Sequence, residues 1–190
     1  MPEKPNIAIL ISGRGSNMET IIHKVQEGFL RVNICLVFSD VPEAPGLEIA
    51  RSRNIPVKTF SPKQFNSFSE YEENLVGALK QAKAGWIVCA GYMRILKKNI
   101  LESFKGKIIN IHPSLLPAFP GLNAQKQALN HGVKISGCTV HFVDEGVDTG
   151  PIILQTAVEV KDTDSVDDLV SRIRQAEHDT YWRAIASVVK

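Results

Sequence analysis

Two polar side chains interrupt an apolar run at Ile108-Ile109-Asn110-Ile111-His112. The alternation of a strand puts Asn110 and His112 on one face, and Pro113 fixes the backbone beside the histidine. At the carboxyl end of a buried strand, open α/β sheets place their ligand chemistry. There an amide can donate to a developing oxyanion, and an imidazole can move a proton or donate as imidazolium. The same pair also reads as an Asn–His contact satisfied at a strand end. Asp148 lies in Asp144-Glu145-Gly146-Val147-Asp148-Thr149-Gly150, an ordered turn by its glycines and acids. A carboxylate approaching His112 would orient the ring and raise its basicity; turn formation alone is a common use of Asp. The acids lack the EF-hand spacing and no His or Cys cluster joins them, so no metal site is expected.

A second constellation is Ser12-Gly13-Arg14-Gly15-Ser16-Asn17, between an apolar run and a segment with helical spacing. Free backbone N–H groups at a helix N-terminus suit an anion, and Gly15, Ser16 and Asn17 are the candidate phosphate holders. Asp40, at the end of the next apolar run, raises the rival reading of a dinucleotide fingerprint. That fingerprint requires a third small residue at position 18, where Met18 stands, so the spacing favours a phosphomonoester over a pyrophosphate. A tight turn with Ser16 or Asn17 as helix cap is the purely structural alternative. Near the C-terminus, an apolar stripe of Val166, Leu169, Val170, Ile173 and Ala184 has Glu177 in its middle. A carboxylate there must meet a cation, such as a substrate amine, or the stripe must turn to solvent. Arg174 and His178 fall off the stripe and read as surface residues.

These residues need a frame. Apolar runs at 7–11, 32–38, 57–60, 86–90 and 108–112 alternate with helical periodicity at 17–27, 47–53, 67–83, 99–104 and 123–130. Strands at 136–143 and 151–160 follow, joined by a short loop, and then a long helix over 165–188. The pattern predicts an α/β fold: a doubly wound, mainly parallel sheet with helices on both faces and an antiparallel strand pair near the C-terminus. With 190 residues and no linker or repeat, residues 1–190 are expected to form a single domain. A net charge of +2 gives no reason to expect nucleic-acid or membrane binding. Cys35, Cys89 and Cys138 are sparse, and Cys35 and Cys89, inside apolar runs, read as buried free thiols, which fits a cytoplasmic protein.

Three segments together resemble one family. Asn110 followed by Ile111-His112-Pro113-Ser114-Leu115-Leu116-Pro117 resembles the catalytic segment of the formyltransferases that use 10-formyltetrahydrofolate. Gly137-x-Thr139-Val140-His141-Phe142-Val143 with Asp148-x-Gly150-Pro151 is similar to their second signature, and Gly91-Tyr92-Met93-Arg94-Ile95-Leu96 to the segment that lines their pocket. Within the family, Gly15-Ser16-Asn17 resembles the phosphate loop of the branch that formylates glycinamide ribonucleotide in purine synthesis. The resemblance implies Asn110, His112 and Asp148 as the catalytic trio and Glu177 at the glycinamide end. It also implies that Met93, Arg94, Ile95 and Leu96, with Val143, Asp144, Glu145, Gly146 and Val147, hold the folate, with no metal. Two positions depart from the pattern: Phe68 stands where a basic residue often helps hold the folate, and Asn123 where a histidine often follows Pro120-Gly121-Leu122. Formyl transfer to another amine such as an amino sugar nucleotide, a nicotinamide-dependent oxidoreductase and a silent folate binder remain open at this point.

Overall fold

A computed structural model describes residues 3–190. Its strands are β1 (Asn6–Ile11), β2 (Asn33–Ser39), β3 (Val57–Thr59), β4 (Trp86–Cys89), β5 (Ile108–His112), β6 (Ile135–Phe142) and β7 (Ile152–Glu159). The helices are α1 (Ser16–Gln26), α2 (Pro45–Ser52), α3 (Phe68–Gln81), α4 (Lys98–Ser103), α5 (Ala124–His131) and α6 (Val166–Val188). The strands form one sheet in the order β3-β2-β1-β4-β5-β6-β7. Only β6 runs against the rest, pairing antiparallel with both β5 and β7. The expected doubly wound architecture and the antiparallel pair are therefore present.

The continuous apolar run of β1 follows from burial on both faces. Ile7, Ile9 and Ile11 join the core under α1, α2, α5 and α6, while Ala8 and Leu10 join the core under α3 and α4. At the edge of the sheet, β7 loses this pattern and exposes Ile152 and Leu154. The starts of α3 and α6 carry side-chain caps. Ser67 accepts the Glu70 N–H at 3.1 Å, and Ser165 forms a capping box with Asp168. One element the pattern did not predict is a 3-10 turn at Pro62–Gln64, too short for periodicity to show.

The stripe of α6 stays buried past Glu177, through Tyr181, Ala184 and Ile185. The Tyr181 hydroxyl donates to the carbonyls of Cys89 at 2.8 Å and Ile109 at 3.1 Å. That phenol pins α6 against β4 and β5.

Candidate active site

The sheet order reverses between β1 and β4, and their carboxyl ends open into a crevice. A cavity of about 310 Å³ lies there, lined by Ser12 to Asn17, Ala90, Gly91, Met93 and Arg174. The loop after β1 is held to the loop after β4 by the Ser12 N–H, which donates to the Gly91 carbonyl at 3.0 Å. Gly15 caps α1 in the left-handed region, at φ 73°. A Cβ on it would press the buried Met18 methyl at 3.0 Å, so Gly15 and Met18 fit each other. Neither Ser16 nor Asn17 caps the helix by side chain. The first-turn N–H groups of α1 are thus left to face the cavity.

The loop also has a floor. Gly46, in the first turn of α2, donates its N–H to the Gly13 carbonyl at 3.1 Å. A Cβ there would meet Ile11 Cδ1 at 2.6 Å and the carbonyls of Gly13 and Arg14 at 3.0 Å.

Glu177 reaches this loop, but its partner is an amide rather than the cation expected. Asn17 Nδ2 donates to Glu177 Oε2 at 3.0 Å, and Asn17 Oδ1 is buried without a partner. Burial pushes the Glu177 carboxyl above its ordinary value, against the opposing effects of the Asn17 hydrogen bond and the Arg174 charge. Arg174, read from the sequence as surface, is exposed yet lines the cavity, one turn before Glu177. His178 is only partly exposed, with Nε2 buried and unpartnered. What brings Arg174 to the loop is the packing of α6 on α1, which its own periodicity does not encode.

One strand further on, Asn110 pairs in register with Cys89, the residue before Ala90. Around Asn110 and His112 a compact cluster forms, and Asp148 is in it. His112 Nδ1 lies 3.1 Å from Asp148 Oδ2, an ion-pair contact with both side chains largely buried. His112 Nε2 donates to the Phe119 carbonyl at 2.9 Å. Acceptors therefore face both ring nitrogens, an arrangement that suits an imidazolium holding two protons. Burial alone would raise the Asp148 carboxyl. The His141 contact, the Gly121 N–H at 2.9 Å and the nearby His112 outweigh it and hold the carboxyl below its ordinary value. Asp148 sits at φ 56°, a left-handed conformation that Asp tolerates better than most residues.

His141 also belongs to this cluster, although its sequence context assigns it no role. It lies opposite Asn110 on β6. Its Nε2 is 3.3 Å from Asn110 Nδ2 and 3.6 Å from Asp148 Oδ1, while its Nδ1 donates to the Phe142 carbonyl at 2.8 Å. It therefore orients the Asn110 amide and faces the carboxylate from the side opposite His112. The available signal was the alternation of Thr139 and His141 with Cys138 and Val140, a polar face matching that of Asn110 and His112. Thr139 pins the proline-rich loop: its hydroxyl donates to the Ser114 carbonyl at 2.7 Å and accepts the Leu116 N–H at 3.0 Å. Gln155 Nε2 donates to the Leu116 carbonyl at 2.9 Å.

The two expected folate segments approach one another. Buried Leu96 and partly buried Val143 share the core under α3 and α4. Glu145, Gly146 and Val147 are exposed at the tip of the turn. The turn is ordered by Asp144 Oδ1, which accepts from the Gly146 N–H at 3.1 Å and the Thr149 hydroxyl at 2.7 Å. Among the described residues, the backbone N–H groups of Arg94, Ile95 and Leu96 donate to no backbone or side-chain acceptor. Phe68 packs on Tyr71, and the Lys97 ammonium sits 4.8 Å over its ring. Asp40 is 3% exposed and committed to Ser12 and Arg94, so it is not offered to a ribose.

Residues 5–185 match the family described as formyl transferase. A phosphoribosylglycinamide formyltransferase of Bacillus subtilis (strain 168) is 42% identical over 182 residues, 96% of this chain and 93% of that protein. The trifunctional purine biosynthetic protein adenosine-3 of Drosophila melanogaster is 45% identical over 98% of this chain, which spans only 14% of that protein's length. Among solved structures, glycinamide ribonucleotide transformylase 1 from Symbiobacterium toebii superposes with a TM-score of 0.96 at 45% identity, covering 98% of this chain and 88% of that one.

Proposed function

The chain belongs to the formyl transferase family, and on that premise we propose that it transfers the formyl group of 10-formyltetrahydrofolate to the amine of glycinamide ribonucleotide. The observation that carries this reading is the near end-to-end match to the Bacillus subtilis phosphoribosylglycinamide formyltransferase. The geometry supports it. A phosphomonoester fits the cavity at the start of α1, where backbone N–H groups, Ser16 and the Arg174 guanidinium surround the anion. Asn17 lines the cavity and holds Glu177, the residue assigned to the glycinamide end, with the unpartnered Asn17 Oδ1 free to accept from the substrate. The pterin edge is held by the unpaired backbone of Arg94 to Leu96, opposite the turn 143–147.

The neutral amine attacks the formyl carbon, forming a C–N bond and a tetrahedral oxyanion. Asn110 Nδ2 and the His112 ring donate to that oxygen, His112 Nε2 exchanging the Phe119 carbonyl for it. Asp148 balances the imidazolium charge, and His141 fixes the amide. Loss of the proton from the new ammonium, its delivery to the folate nitrogen and cleavage of the old C–N bond complete the transfer. No covalent enzyme intermediate is needed. The committed Asp40 and the presence of Met18 disfavour the nicotinamide reading. We place the reaction in the cytosol and assign it to residues 1–190 as one unit. The test is an absorbance assay of tetrahydrofolate release with and without glycinamide ribonucleotide. Release only when the ribonucleotide is present is expected. Folate binding with no release under either condition would leave a silent binder and sink the proposal.

A further inference from the structure

Two buried carboxylates grip the ends of the segment Met93–Leu96, and neither faces the phosphate loop cavity. Asp40, directly after β2, is the first. Its Oδ1 accepts from the Ser12 hydroxyl at 2.5 Å, its Oδ2 accepts from Arg94 Nε at 2.7 Å, and the same Ser12 oxygen accepts the Met93 N–H at 2.8 Å. Glu72, on α3, is the second. Its Oε1 accepts the Lys97 N–H at 2.5 Å. Both carboxylates are 3% exposed. Between them the chain is extended toward solvent, with Met93 68% and Ile95 61% exposed.

A buried carboxylate is retained at a cost in solvation unless its hydrogen bonds repay it. Here the bonds fall on one short stretch, entering at Met93–Arg94 and leaving at Lys97. They come from different elements, the end of β2 and the middle of α3. The Arg94 guanidinium is drawn back to Asp40, which leaves the backbone, rather than the charged side chain, as the face that Arg94 offers. Nothing inside the described chain takes up the N–H groups of Arg94, Ile95 and Leu96. An edge of unpaired donors, held at both ends, matches a flat heterocycle that carries acceptors.

We propose that Asp40 and Glu72 are positioning residues that hold the Met93–Leu96 backbone in the geometry that recognises the pterin of the formyl donor. The inference rests on the formyl-transfer reading for the identity of the ligand, but the clasp itself can be read without any ligand. In the unliganded protein, amide exchange at Met93 and Lys97 should be protected, and should accelerate in Asp40→Asn and Glu72→Gln respectively. In equilibrium titration with a non-reactive folate analogue, each variant should bind about tenfold more weakly, the loss of one charge-assisted hydrogen bond. At saturating folate kcat should stay near the parent value. In Glu72→Gln the KM for glycinamide ribonucleotide should not move, because Glu72 lies on the other side of the sheet from α1. Should Asp40→Asn fail to fold, Arg94→Gln cuts the same contact from its exposed side and should show the same split. A folded Glu72→Gln with parental affinity for the folate analogue overturns the proposal. So does equal weakening for both substrates, which marks a general loss of structure. If the parent protein transfers no formyl group, the functional reading fails, whereas unprotected amides at Met93 and Lys97 defeat the clasp alone.

Discussion

The phosphate loop and the His112 cluster lie one strand apart and are built on opposite principles. The loop is local: consecutive residues from Ser12 to Asn17 turn between β1 and α1 and line the cavity where we propose that their backbone N–H groups hold the phosphate. The cluster is long-range: Asn110 and His112 come from β5, His141 from β6 and Asp148 from the turn beyond it, and only side chains meet. A backbone site needs the right turn and tolerates many side chains. A side-chain site needs each group and the register between strands. Substitutions should therefore cost far more in the cluster, and should fall on turnover there but on affinity in the loop.

The largest effect is expected at His112. His112→Ala should lower turnover by roughly 10²–10⁴, and Asp148→Asn should also lower it while keeping a residue tolerant of φ 56°. The double variant should lose little more than His112→Ala, because the pair acts as a unit. Independent multiplication in steady-state kinetics would separate the two residues and break the contrast drawn above. The pH dependence follows from the lowered Asp148 carboxyl. Its stabilising contribution is present above the ordinary carboxylate value and is lost only as pH falls through the lower folded value. Any acid limb seen nearer neutrality thus belongs to another group, such as the attacking amine. Asn110→Ala comes next, at about 10²–10³ in kcat if it donates to the oxyanion.

In the loop, Ser16→Asp puts a negative charge where the phosphate is placed. It should raise the KM for glycinamide ribonucleotide by roughly tenfold or more, about 1.4 kcal/mol of lost binding, and leave folate affinity unchanged. Equal affinity for the ribonucleotide in calorimetry would reduce the loop to a turn. The smallest effect is expected for Glu177→Gln. Burial raises the Glu177 carboxyl, so the folded state favours its protonated form. The stability this gives is full below the unfolded carboxylate value and disappears as pH rises through the folded one. A permanent neutral side chain should therefore raise Tm near pH 8, by about 2–4 °C per kcal/mol, and the gain should vanish near pH 4. The KM for the ribonucleotide should rise at the same time. A Tm unchanged at both pH values would mean that the carboxylate is not held against its charge.

The contrast also explains what could be read from residue order. Apolar runs and their periodicity placed the sheet and helices, since burial on both faces of β1 or one face of α6 leaves its mark in consecutive residues. The loop from Gly15 to Asn17 and the polar face of Asn110 and His112 were legible for the same reason. The meeting of Asp148 with His112 was not: it depends on the antiparallel register of β6 on β5, where Asn110 faces His141 and His112 faces Thr139. Arg174 was hidden by the crossing of α6 over α1. Asp40 looked like a ribose-binding acid until its burial against Arg94 was seen.

Gly46 shows how far such dependence reaches. It belongs to no motif, and its N–H and missing side chain serve only to seat the loop from Gly13 to Gly15. Any larger residue there must displace Ile11 or the loop carbonyls. In a map of mutational tolerance across the chain, position 46 would consequently score with the ligand-facing residues. On the function proposed above, a variant arising there would be inherited as a defect of ribonucleotide binding, with its cause in a neighbouring helix.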